Sequence, residues 1–464
     1  MPSSNDFIRE LETLLPRERR HTDPAQCWPY GYDNSRRHAL PDAVAFPSSH
    51  DEVVALVRLC NRHHVPLTAR GRGTGTTGAT VPVEGGVVMS FERMNRILEL
   101  SPGNRFVVVE PGVTNQALQD ALQSHGFFWP PDPTSAEFCT IGGNLAYNSA
   151  GPRAVKYGTP RENTLGLRAV TGAGEELRCG VYTTKGVVGY DLTRLIIGSE
   201  GTLAIITEAT LRITPLPAAK RTLRAIYADV TAATQAIARI MAQPVVPCAL
   251  EFIDGNALDL VRRYGGVDLP EPAGALLMIE VDGTEAGIEA GVEAVRRAAT
   301  CAGLVEFRVA ASAQEVEALW RTRKALSPSL RKVAPKKINE DVVVPVTELP
   351  RLIAGLDALA HKYGLPIVNF GHAGNGNIHV NLLFDPDPPG ALAKAHDCLA
   401  EIFDLVLGLR GTLSGEHGVG IEKRDFVARE LDRVSLDLMR AIKRQFDPLG
   451  LLNPGKTLPP VESA

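Results

Sequence analysis

Arg70-Gly-Arg-Gly-Thr-Gly-Thr-Thr-Gly78 packs four glycines and two arginines into nine positions. Gly73, Gly75 and Gly78 fit G-x-G-x-x-G, and Val65 to Arg70 ahead of them reads as a short strand. A dinucleotide-binding βαβ unit needs a helix to open inside that motif. Here the chain continues Ala79-Thr-Val-Pro-Val-Glu-Gly-Gly86, where proline and paired glycines oppose a helix. The glycines instead let successive backbone N–H groups converge on one concavity, and Arg70 and Arg72 add positive charge. Gly73, Thr74, Gly75, Thr76 and Gly78 are therefore expected to cradle a pyrophosphate; the plain alternative is a tight turn.

Working outward, Ser49 and Glu52 form a capping-box pattern at the head of a helix whose apolar positions are Val53, Val54, Leu56, Val57 and Cys60. Short strands are expected at Gly86 to Phe91 and Phe106 to Val109, and a helix from Thr114 to Gly126. Pro215 and Pro217 close a strand, which puts a first boundary near 217. Beyond it, strands such as Ala275 to Val281 mix with helices at Ala286 to Ala302 and Pro345 to Tyr363, and a last helix is expected over Val427 to Phe446.

At 464 residues the chain exceeds one ordinary core. Its 49 Lys+Arg against 53 Asp+Glu leave no basic footprint for nucleic acid. Seven cysteines never fall as C-x-x-C, which argues against a zinc ribbon or a cysteine-held iron–sulfur cluster. Met1 to Arg20 lacks an apolar signal region, and no apolar run reaches spanning length. A cytoplasmic chain is expected, with room for peripheral contact at the inner face of a membrane.

Two more small-residue concentrations follow the first. Pro130-Pro131-Asp132-Pro-Thr134 leads to Thr140-Ile-Gly142-Gly143-Asn144 and then to Asn148-Ser-Ala-Gly151. Such residues permit close backbone approach to a flat ligand and offer hydrogen bonds; the bland reading is a turn-rich surface loop. Gly198-Ser-Glu200-Gly201 runs into an alternating strand through Ile206. Together the three loops resemble the FAD domain of the vanillyl-alcohol oxidase / p-cresol methylhydroxylase superfamily, and the C-terminal half resembles its D-lactate, glycolate and D-2-hydroxyglutarate dehydrogenase branch. The resemblance covers about Ala43 to Lys456. It implies an α+β fold: a two-part FAD-binding domain over 1–217, an α+β substrate-capping domain over 218–410, and a C-terminal helical segment over 411–464 that returns to the flavin. It further implies that the first loop wraps the pyrophosphate, that the second lines pyrophosphate and isoalloxazine, and that the third meets the adenosine side. No histidine lies within 65–82 or between His125 and His361, so the FAD is expected to be non-covalent.

Pro366-Ile-Val-Asn-Phe-Gly-His372-Ala-Gly-Asn-Gly-Asn-Ile-His379-Val-Asn381-Leu-Leu383 reads as two apolar strands around hairpin-turn chemistry. His379 and Asn381 share the face opposite Ile378, Val380 and Leu382, so both can act on one ligand. Ser414-Gly-Glu416-His417-Gly places an acid beside a base. Two imidazoles and a carboxylate suit zinc or another borderline divalent ion. Singly, each histidine is more often structural; three of only 11 lie in glycine-rich loops. By position the resemblance implies His372, His379 and Glu416 as ligands and His417 as base. Zinc is the first expectation for the ion, with manganese or iron as alternatives.

In Trp320-Arg-Thr-Arg323-Lys, the resemblance makes Arg323 the substrate-carboxylate residue, and its planar fork suits that task. D-2-hydroxyglutarate dehydrogenases carry a lysine where the resemblance puts Asn339 here, ahead of Asp341 and Pro345, with Lys336 and Lys337 slightly upstream, which disfavours a second substrate carboxylate. The expected activity is oxidation of a D-2-hydroxy acid, D-lactate or a similar short acid first, with electrons passed to a cytochrome, quinone or electron-transfer flavoprotein. The alternatives are a D-2-hydroxyglutarate dehydrogenase and a flavin-binding glycolate oxidase subunit that needs partner chains. A homodimer is compatible with this reading.

Overall fold

The computed structural model describes residues 4–265 and 270–460, so the extreme ends of the first and last expected domains lie outside the described residues. The chain divides into two compact units. One comprises Met1–Ala150, Gly158–Leu216 and Glu416–Ala464; the other comprises Gly151–Tyr157 and Pro217–Gly415. Among the described residues no helix is long and apolar enough to cross a membrane.

In the first unit, strands Ala43–Ala45, Val87–Ser90 and Leu67–Arg70 pair in parallel, with Arg20–His21 antiparallel at the edge. Helix His50–His63 covers them because Val53, Leu56, Val57 and Cys60 bury against Leu67, Val87 and Met89. Each such side chain contributes about 1.5–3 kcal/mol when fully buried. Ser49 caps the helix by accepting from the Glu52 N–H. The reciprocal half of the capping box differs: the Glu52 carboxylate accepts from Ser48 N–H and from Arg19, whose guanidinium is the stronger donor. Strand Leu67–Arg70 then runs straight into the glycine loop.

A second, antiparallel sheet of this unit runs Ile97–Ser101, Phe106–Val109, Ala204–Arg212, Thr164–Thr171, Glu176–Gly180. Helices Asn115–Gln123 and Ile141–Tyr147 bury Leu118, Leu122, Ile141 and Leu145 against it. The stretch after Thr140, read from sequence as a loop, is thus helical. Thr140 caps it by accepting from Gly143 N–H, and Asn148 ends it at φ 57°. Near the C-terminus the expected single helix is broken into Val427–Glu430 and Arg433–Phe446. Asp432 adopts an extended conformation between them and accepts from Ser435 N–H as a new N-cap.

The second unit is built on an antiparallel sheet ordered Leu304–Val309, Ala219–Tyr227, Ala275–Gly283, Ala249–Asp254, Ile367–His372, Asn377–Phe384, Lys336–Val343. Ile226, Ile253, Met278 and Phe370 pack with Leu258, Leu326 and Leu330 from helices Gly255–Gly265 and Ala313–Ser329 and the short turn that follows. The expected hairpin is present: Phe370 pairs with His379, and Gly376 turns the chain at φ 73°.

Candidate active site

In the first unit the three small-residue loops meet around an open cleft. Of the residues singled out in the sequence, Arg70, Thr140, Gly142, Gly143, Glu200, Gly201 and Ile206 line it. Close approach is built in. A Cβ on Gly142 would sit 2.6 Å from the Pro111 Cβ, and one on Gly75 would sit 2.5 Å from the Tyr147 hydroxyl. Among the described residues, the backbone N–H groups of Arg72 to Thr76 donate to no protein acceptor. The carbonyls of Thr74 and Gly75 are held instead by Asn34.

Several singled-out residues hold this frame, Arg70 while also lining the cleft. Arg70 lies buried beneath the loop, donating to the Tyr32 carbonyl at 2.6 Å and facing the Tyr30 and Tyr32 rings; burial pulls its guanidinium below the usual value. The Pro131 carbonyl and the Asn144 side chain both accept from Asn115. Asp132 N–H donates to the Ala150 carbonyl, and Asn148 accepts from Thr159 and Arg161. Arg72 and Thr134 are exposed, Gly78 packs against Ile421, and Gly151 opens the short stretch belonging to the second unit.

The Glu416-His417 loop is bonded into the same loop cluster. Thr77 Oγ1 donates to the His417 carbonyl, Ser149 Oγ to the Glu416 carbonyl, and Ala150 N–H to Glu416 Oε2 at 3.3 Å. Glu200, at φ 55°, accepts from Val419 N–H at 2.5 Å, Gly420 N–H at 2.8 Å and Thr457 Oγ1 at 3.1 Å. Burial still pushes its carboxyl above the usual value despite those donors. Tyr147 packs against Gly418, with ring Cδ1 2.7 Å from where a Cβ would stand, and so joins the first glycine loop to the His417 loop. Nothing in the spacing around Tyr147 singled it out; an aromatic between two small-residue motifs was the available signal.

In the second unit His372 and His379 face each other from the two hairpin arms, ring centroids 5.2 Å apart and edge-on. His372 Nδ1 lies 2.5 Å from Glu251 Oε1, and Arg323 Nε donates to Glu251 Oε2 at 2.6 Å while its guanidinium covers the Phe370 ring. Burial alone would raise the Glu251 carboxyl; His372 and Arg323 outweigh it and hold it below the usual range. Sequence reasoning missed Glu251, although a glutamate inside the apolar strand Ala249–Asp254 was a readable anomaly. Asn381 donates to the Val368 and His379 carbonyls and accepts from Asn339 at 2.7 Å. Gly415, the last residue of this unit, is anchored by Asp341, and Glu416 follows it directly in the chain.

Residues 216–457 match the family described as FAD linked oxidases, C-terminal domain, and residues 41–180 match the FAD binding domain. The chain belongs to the FAD-linked oxidase family. This FAD-linked oxidase is 39% identical over 428 residues to a glycolate oxidase subunit of Bacillus subtilis, covering 92% of the chain and 91% of that protein. It is 33% identical over 459 residues to a D-2-hydroxyglutarate dehydrogenase of Stutzerimonas stutzeri, covering 97% and 98%. D-lactate dehydrogenases are relatives as well. Its fold is that of p-cresol methylhydroxylase, with a TM-score of 0.80 at 19% identity over 99% of this chain and 98% of that one. The FAD-linked oxidase is therefore an FAD-dependent oxidoreductase of the hydroxy-acid dehydrogenase group, with the α+β architecture of the vanillyl-alcohol oxidase superfamily.

Proposed function

We propose that this FAD-linked oxidase converts a small D-2-hydroxy acid, D-lactate or a similar short acid, to the 2-oxo acid. The observation that carries the reading is the bonding of the His417 loop into the flavin-loop cluster through Thr77 and Glu200. These bonds hold the loop that carries His417 to the glycine-loop cluster, which supports a role for His417 as the base. In functional terms 1–217 is the FAD domain, 218–410 the cap and 411–464 the segment that brings the base.

The FAD fits the cleft chemically. Gly142, Gly143 and Gly201 line it and admit a flat ring system, and the glycine loop that continues from its Arg70–Gly71 edge offers N–H groups to the pyrophosphate. Bound FAD supplies the acceptor for the hydride leaving C2 of the substrate. A divalent ion, zinc first and manganese or iron next, fits the donor set of His372, His379 and Glu416, and would supply Lewis-acid stabilisation of charge developing on the substrate hydroxyl. His417 accepts the hydroxyl proton as the hydride leaves. Arg323 takes the substrate carboxylate through its Nη fork, and Asn381 fixes the strand that carries His379.

Asn339, bonded to Asn381, offers no cation at its own position, although Lys336 and Lys337 precede it in the strand, and D-2-hydroxyglutarate is ranked below monocarboxylates. The similarity to a glycolate oxidase subunit favours a second reading, glycolate oxidation that depends on partner chains. Electrons leave to a cytochrome, quinone or electron-transfer flavoprotein, which suits a cytoplasmic protein touching the inner face of a membrane. Dye-coupled oxidation across D-lactate, L-lactate, glycolate and D-2-hydroxyglutarate, with and without chelator, tests the proposal. Chelator-sensitive, D-selective turnover is expected. A flavin-containing chain active on none of them, yet active on glycolate once partner chains are added, would replace it with the second reading.

A further inference from the structure

We infer that Glu251 is a positioning residue that serves two tasks at once: it orients His372 for the ion and Arg323 for the substrate carboxylate. The inference deepens the proposed function and rests on it. Glu251 and His372 stand directly opposite each other on paired antiparallel strands, so their side chains leave the same face of the sheet. Phe370, two residues before His372 and hence on that same face, carries the Arg323 guanidinium 4.9 Å from its ring centroid. The Glu251 carboxylate fills the space between the two, with Oε1 on His372 Nδ1 at 2.5 Å and Oε2 on Arg323 Nε at 2.6 Å. All three side chains are buried.

Each bond has a directional consequence. A carboxylate on Nδ1 sets the imidazole tautomer and ring plane, leaving Nε2 as the nitrogen that can take a cation and making it a better donor. A carboxylate on Nε holds the guanidinium in its plane, and the Nη pair is the fork that grips a carboxylate in two parallel bonds. A buried ion pair adds little net stability when compared with well-packed apolar side chains, so control of geometry accounts for this cluster better than fold stability does. One rigid carboxylate thereby sets the spacing between ion and substrate carboxylate. That selects substrates with the hydroxyl on the carbon next to the carboxylate over those with a longer separation.

The test uses the FAD-loaded full chain. Zinc is titrated in competition with a chromophoric chelator, and KM and kcat for the best 2-hydroxy acid are measured at saturating zinc. Flavin content and thermal unfolding report folding. Glu251→Gln is expected to keep its FAD, to lose about 10–100-fold in zinc affinity, and to show a raised KM at saturating zinc. Arg323→Lys, which leaves the Glu251–His372 bond in place, is expected to raise KM with zinc affinity within about threefold of wild type, on the view that an ammonium lacks the guanidinium fork. Where Glu251→Gln does not fold, Glu251→Asp gives the same comparison, because it is one methylene too short to reach both partners. A wild-type chain that binds no divalent ion overturns the metal reading and this inference with it. Wild-type binding with unchanged zinc affinity in the Glu251 variant overturns this inference alone, as does weakened zinc affinity with a wild-type KM.

Discussion

Glu200→Gln probes the support beneath His417. The wild-type carboxylate accepts from two backbone N–H groups, Val419 at 2.5 Å and Gly420 at 2.8 Å, and from the Thr457 hydroxyl at 3.1 Å. A glutamine of the same shape accepts through one oxygen only and turns an NH2 toward the other N–H. The Thr457 hydroxyl can rotate to compensate; a backbone N–H cannot. A bond from an N–H to a charged acceptor contributes about 1.5–3 kcal/mol. Loss of one against the ordered loop therefore corresponds to about a 10- to 100-fold fall in kcat/KM, at 1.36 kcal/mol per decade. Steady-state dye reduction at saturating FAD, with flavin content measured in parallel, reads the effect. A Glu200→Gln chain that retains FAD and turns over within twofold of wild type would refute the claim that this carboxylate holds the catalytic loop.

Gly142→Ala places a methyl group 2.6 Å from the Pro111 Cβ and 3.0 Å from its carbonyl oxygen, so weakened FAD retention is expected, read as flavin lost on gel filtration. Acid or heat treatment of the wild-type protein should release all flavin to the supernatant; flavin remaining on the polypeptide in a denaturing gel would contradict non-covalent binding. Burial lowers the Lys456 ammonium from 10.5 to about 8. Between those values the unfolded chain binds more protons than the folded one, so this lysine's destabilisation is fully present below about pH 8 and is relieved as pH rises toward 10.5. At 1.36 kcal/mol per unit the relief is roughly 3 kcal/mol. Urea unfolding from pH 7 to 10 should show wild type gaining on Lys456→Met across that window; parallel curves would contradict it. His417→Ala should keep FAD and lose about 10²-fold or more in turnover, measured by the same dye assay.

The hairpin bearing His372 and His379 was legible because strand alternation and turn chemistry are local properties, and the glycine loop was legible for the same reason. What escaped depends on distant pairings. Glu251 meets His372 across 121 positions, and Glu200 meets Val419 across 219, distances over which no periodicity carries information. The helix at Ile141–Tyr147 was hidden by two glycines, each costing about 1 kcal/mol relative to alanine. Thr140 capping and the burial of Ile141 and Leu145 offset that cost. Asp432 was readable as a cap, but apolar spacing continues on both sides of it and suggested one helix.

Hydride transfer to the flavin is isolated in a single half-reaction: anaerobic mixing of the flavin-loaded chain with D-lactate, L-lactate, glycolate or D-2-hydroxyglutarate, following flavin absorbance before any acceptor is added. Bleaching is expected with a D-2-hydroxy acid carrying one carboxylate, little with L-lactate, and roughly 10²-fold slower bleaching in His417→Ala. Flavin that stays oxidised with every 2-hydroxy acid, or bleaches equally fast without His417, would contradict the proposed oxidation with His417 as base.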